Sequence, residues 1–275
     1  MTRVRGLFPV LVAALLAGCS GTNTPAQRAV VTHTPASSSS VAAPTPTPSP
    51  RTHVTKPAVR PTAVRTQPHV STHPRLLVEH LSGAGNARQV VAVTASGYGT
   101  SYATVTAFAR TTAGWRQVFG PWTARIGYNG FAPPNRKREG DGRSPTGAFG
   151  VQFMFGVAPD PGVRYPYRRA LATSWWDDDP GSAHYNEWVD SRTADPGRSP
   201  EPMQQLPSYR YGAVIGYNTA RTPGLGSAIF LHVAHTGATS GCVSLPQPEL
   251  LAVLRWLDPA KSPRIVMGTT SAVVR

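Results

Sequence analysis

Residues 20–75 contain 10 prolines and 18 serines or threonines, with no Phe, Trp, Tyr, Asp or Glu. Such a stretch has too little apolar surface to offset the entropy of ordering it. Whatever folds in this 275-residue chain must therefore fold after it. The Ala-Pro-Thr-Pro-Thr-Pro-Ser-Pro run at 43–50 favours extended polyproline conformation. As a coil the segment spans roughly 40 Å, and fully extended roughly 170 Å. It reads as a disordered tether. Residues 76–275 remain, enough for one domain with its own core.

The first 19 residues read as an export signal. Arg3 and Arg5 give a basic start, Leu7 to Ala17 is apolar, and Leu16-Ala17-Gly18-Cys19 follows. The apolar run is 11 residues, against roughly 20 for a helical bilayer span. Leu-Ala-Gly-Cys resembles the lipobox of bacterial lipoproteins, which implies lipidation at Cys19 and an exported protein held at the membrane facing the cell wall. The only other cysteine is Cys242, and with Cys19 acylated it has no internal disulfide partner. A leftover cysteine in an exported chain points to a reactive thiol or to pairing between chains.

Charge excludes less than the net +14 suggests. Six of the basic residues lie in the acid-free tether, and residues 76–275 carry 19 basic against 13 acidic side chains. Export argues against a nucleic-acid partner, and leaves anionic lipid and acidic wall polymers.

The folding part reads as mainly β, a sandwich or barrel. Tyr102 to Phe108 alternates as a strand requires. Gln89–Thr94, Trp115–Phe119, Ala148–Phe153, Ala213–Tyr217, Ala228–Val233 and Arg264–Met267 are further strand candidates, with Gly and Pro in the gaps. One helix is expected: Pro248 suits its first turn, Leu250, Leu251, Leu254 and Leu257 recur at helical spacing, and Asp258-Pro259 stops it. Residues 160–209 read as a long elaborated loop region, with Asp177 to Asp179 a solvated acidic stretch and not a cation site.

The chemistry concentrates in Phe230-Leu231-His232-Val233-Ala234-His235-Thr236-Gly237-Ala238-Thr239-Ser240-Gly241-Cys242-Val243. An apolar strand ends on a histidine, and a short small-residue loop leads to a glycine and a cysteine. A thiol needs a neighbouring base to act as a nucleophile near neutral pH, and imidazole titrates in that range. Gly241 permits close backbone approach, so Thr239, Ser240 and Gly241 are expected to shape the turn and its oxyanion donors. His232 has rigid strand support and is the expected base; His235, in the loop, is the alternative. Cys242 is expected at the sheet edge, open to solvent. No cofactor is implied. Zinc normally takes four ligands, or three plus water, and no further ligand stands near this cysteine and its histidines in sequence, so no metal is expected.

With Thr239, Gly241, Cys242 and Val243, the segment resembles the signature of the L,D-transpeptidase catalytic domain (YkuD-like) family. Arg143-Ser144-Pro145-Thr146-Gly147-Ala148-Phe149 resembles a second element of that family. Ser240 and Ser244 depart from the usual His and Asn, and His232 is nearer the cysteine than usual. The resemblance implies a β-rich domain and cysteine attack on peptidoglycan stem peptides. It also implies an acyl-enzyme at the third-residue diamino acid and 3→3 cross-links. Resolution by water would make a carboxypeptidase instead, and loss of activity a wall-binding lipoprotein. Tyr185, Asn186 and Arg143 are candidate substrate contacts, with Trp188 beside them.

Overall fold

The computed structural model describes residues 75–275; the signal, Cys19 and nearly all of the tether lie outside the described residues. The strands are β1 (Gln89–Ala95), β2 (Tyr102–Thr111), β3 (Gly114–Arg125), β4 (Gly147–Phe149), β5 (Val151–Gly156), β6 (Tyr167–Arg169), β7 (Ser174–Trp176), β8 (Trp188–Asp190), β9 (Glu201–Pro202), β10 (Gly212–Ile215), β11 (Phe230–Val233), β12 (Val243–Leu245) and β13 (Arg264–Thr269). The helices are α1 (Gln247–Trp256) and a four-residue α2 (Thr270–Val273).

Ten strands form one curled sheet in the order β4-β13-β1-β2-β3-β12-β11-β10-β5-β6. β1 lies inside it, parallel to β13 and antiparallel to β2. An interior strand packed on both faces needs a continuous apolar run, and Val90 to Val93 are all fully buried. Gln89 is the polar exception: its amide donates to Trp256 O and accepts from Asp258 N–H, both at 2.8 Å. That ties the strand start to the end of α1.

The mainly β expectation holds, and so does the helix after Cys242. Its buried stripe is Leu250, Val253, Leu254 and Leu257, so Val253 and not Leu251 completes the face. Several strands run longer than the pattern predicted, β2 and β3 the most. β2 continues to Thr111, and β3 passes through Gly120-Pro121 to Arg125. The register shifts at Val105–Phe108 take up the proline, and Gly120 sits at φ +80 where a Cβ would come 2.3 Å from Val105 O. A bulge tolerates what a regular ladder would not.

The elaborated loop region at 160–209 carries short strands of its own: it adds β6 to the main sheet and builds a separate three-stranded sheet, β8-β7-β9. These strands are two or three residues long, too short to leave a periodicity in sequence. The acidic stretch is only partly solvated: Asp178 and Asp179 are half-buried. Asp177 is fully buried, accepting from Asp179 N–H at 2.9 Å and from the Ser182 hydroxyl.

Candidate active site

β11 and β12 run in parallel, with Leu231 opposite Val243 and His232 opposite Ser244. Side chains alternate faces along a strand. Leu231, Val233, Val243 and Leu245 join the core that includes Leu250, Val253 and Leu254 of α1. Extending the register by one residue sets Cys242 beside Phe230, on the same face as His232. The face away from α1 thus collects a thiol and an imidazole from two adjacent strands.

An aromatic cluster backs that face. Phe230 meets Trp176 at 4.9 Å, Phe155 at 5.2 Å and Tyr209 at 5.6 Å between ring centroids. Tyr209 also meets the His232 ring edge-on, at 5.4 Å and 86°. Such contacts hold rings in fixed planes. His232 Nδ1 lies 2.9 Å from Val233 O; a carbonyl only accepts, so Nδ1 carries the proton and Nε2 has the free lone pair. No described residue bonds Nε2.

Cys242 is 7% exposed, so it is more enclosed than the solvent-open thiol expected from sequence. Its Sγ–H donates to Ala228 O at 3.2 Å and accepts from Phe230 N–H at 3.3 Å. It still lines a cavity of about 370 Å³ that His232 also lines. Burial, followed by the nearby Glu201 carboxylate, pushes the thiol well above its ordinary pKa, while the Phe230 N–H opposes the rise. Burial also drops His232 to about 4. The resting pair is therefore neutral thiol and neutral imidazole.

The turn before Cys242 is held by hydroxyls. Thr239 Oγ1 donates to Cys242 O at 2.7 Å and accepts from Gly241 N–H at 3.2 Å. Ser144, fully buried, donates to Gly241 O at 2.6 Å and accepts from Gly127 N–H at 3.0 Å. A Cβ on Gly241 would approach Arg143 O to 3.0 Å, so the glycine is needed for fit. Ser240 and His235 are exposed on the cavity rim.

The three expected substrate contacts lie elsewhere. Tyr185 is 2% exposed and donates its hydroxyl proton to Glu139. Asn186 accepts from Trp176 Nε1 at 3.1 Å and from Ala228 N–H at 3.2 Å. It thereby holds Ala228 at φ +50, the backbone whose carbonyl meets Cys242. Arg143 donates to Phe131 O at 3.1 Å. None of the three lines the cavity; they support the segments that do. Trp188 packs on Phe153 and Phe155.

Sequence reading missed the side chains that share the cavity: Glu139, Asp178, Glu201, Tyr209, Lys137 and Ser227. Ser227 Oγ stands 2.7 Å from both Glu139 Oε2 and Asp178 Oδ1. A hydroxyl carries one proton, so both contacts are satisfied when Asp178 holds a proton, donates to Ser227, and Ser227 donates to Glu139. Burial, then the Glu201 carboxylate, raises Asp178 to about 7. Among the described residues no three His, Cys, Asp or Glu side chains converge to hold a metal ion.

The L,D-transpeptidase catalytic domain (YkuD) family model matches residues 102–270, more than half of the chain. The chain belongs to that family. No curated protein and no solved structure matches it at the significance required. The YkuD match takes in the cavity residues named above and begins at β2. It therefore leaves out β1, an interior strand of the same sheet.

Proposed function

We propose that this chain is a peptidoglycan L,D-transpeptidase, with Cys242 as nucleophile and His232 as its general base and acid. The observation that carries the reading is that Cys242 and His232 line one cavity, with the Nδ1 of His232 engaged by Val233 O and its Nε2 without a partner among the described residues. As sulfur attacks the carbonyl carbon of the third-residue diamino acid, its proton passes to His232 Nε2. The C–N bond to the terminal D-alanine breaks, and the departing amine takes that proton. A thioester remains. An amine of a neighbouring stem attacks it and loses a proton to His232. The C–S bond then breaks, giving a 3→3 link, and the sulfur recovers its proton. At neutral pH the His232 ring is unprotonated and can accept a proton, but a pKa near 4 makes it a weak base towards the raised Cys242 thiol, so the proton moves with the attack and not before it. The sequence of residues 1–19 supports action outside the membrane, with a lipid on Cys19 as anchor and the tether as spacer.

Incubation with a carbapenem followed by intact-mass measurement tests the nucleophile. One adduct is expected on the wild type and none on Cys242→Ala. An adduct persisting in that variant, or none on the wild type, overturns the assignment.

A further inference from the structure

The cavity that holds Cys242 is also lined by Glu139, Asp178 and Glu201. The lysine in that lining, Lys137, is already committed: its ammonium pairs with Asp141 at 2.8 Å and donates to Arg138 O at 2.6 Å. None of the three carboxylates has an ion-pair partner among the described residues. Enclosed carboxylates without a counter-charge are costly, and two of the three respond: Asp178 is raised to about 7 and Glu201 is raised above its ordinary value, with burial the first cause for each. A separate feature marks the same space. His232 is 7% exposed, its Nε2 has no hydrogen-bond partner among the described residues, and the residue lines the same cavity.

We propose that Glu139, Asp178 and Glu201 recognise a primary ammonium on a diamino-acid side chain, and so set the enzyme's preference for amine-bearing substrate. This rests on the transpeptidase reading above. An ammonium is a compact cation with three donors and no acceptor, which matches a wall of acceptors lacking a counter-charge. Its arrival would displace the shared proton and form charge-assisted bonds. Water or a hydroxyl would gain no such interaction. The ammonium can belong to the donor stem's third residue or to the acceptor, and the two are separable by experiment.

The test uses the full chain and two stem tetrapeptides that differ only in acetylation of the third-residue side-chain amine. Acylation of Cys242 is followed by intact mass, and the products are divided between transfer to the side-chain amine of added lysine amide and transfer to water. If the donor's ammonium is bound, acetylation slows acylation roughly tenfold to a hundredfold. If the acceptor's is bound, both peptides acylate alike. The amine-to-water ratio then falls by a similar factor in Asp178→Asn and Glu201→Gln, with melting curves confirming that both are folded. The donor comparison needs no variant. Equal acylation by both peptides together with an unchanged ratio in both variants overturns the inference and leaves the transpeptidase reading standing. If neither peptide acylates the wild type, that reading falls, and this one with it.

Discussion

The two chemical walls of the cavity are built differently. Cys242 and His232 stand on paired strands, backed by a ring cluster and held through backbone bonds. The carboxylates come from distant segments: Glu139 from the stretch after Pro133-Pro134, Asp178 from the turn after β7, and Glu201 from two-residue β9. The first wall gains its geometry from the sheet. The second gains its geometry from side-chain bonds across the chain, such as Ser227 to Glu139 and Tyr209 to Glu201. Rigid elements suit reacting groups, while side-chain networks suit groups that adjust to a ligand.

The sharpest way to break that comparison is to remove the strand-borne imidazole proposed as the base. His232→Ala is expected to lower turnover roughly 10²- to 10⁴-fold, while His235→Ala, on the exposed rim, should change it by less than about twofold. Steady-state rates on one tetrapeptide decide it; equal losses would mean that strand support is not what selects the base.

The walls should also respond to pH in opposite senses. His232 titrates near 4 when folded, below its ordinary 6.5. The unfolded chain therefore takes up the proton first, and stability falls as pH drops from 6.5 to 4, by about 3 kcal/mol in all. Asp178 titrates near 7 when folded, above its ordinary 3.8. The folded chain keeps a proton that the unfolded chain has lost, so its contribution falls as pH rises from 3.8 to 7. Urea unfolding across pH 4 to 8 should find His232→Gln flatter on the acid side and Asp178→Asn flatter towards neutrality. Parallel curves for both variants would remove the distinction.

A smaller effect is expected at Ser144, which belongs to neither wall but fixes the turn behind Cys242. Ser144→Ala strands Gly127 N–H and Gly241 O away from water, and should cost about 1–3 kcal/mol, read from the same unfolding curves. No change would mean that Thr239 alone holds the turn.

Sequence made the strand-borne wall legible because each element carried a local signal. Phe230 to Val233 is an apolar run ending near a histidine, and the Gly241-Cys242 pair follows within one short loop. The β class and α1 were legible through period-two and period-three-to-four patterns. The second wall was not, since Glu139, Asp178 and Glu201 lie up to 62 positions apart and meet only once the sheet has closed. Tyr185 and Asn186, expected from sequence as substrate contacts, direct their polar atoms to partners at Glu139 and Ala228. Ser144 sat within a recognised motif, but its role depends on Gly241, 97 positions away.

The placement of β1 sets a limit on how this protein can be divided. A fragment cut to residues 102–270 would lose the strand seated between β13 and β2. It would also lose Gln89, which fastens the end of α1. Two raw strand edges would then face each other across an empty slot, and such edges recruit other chains. Shortened preparations of this domain should clump where the longer one stays dispersed.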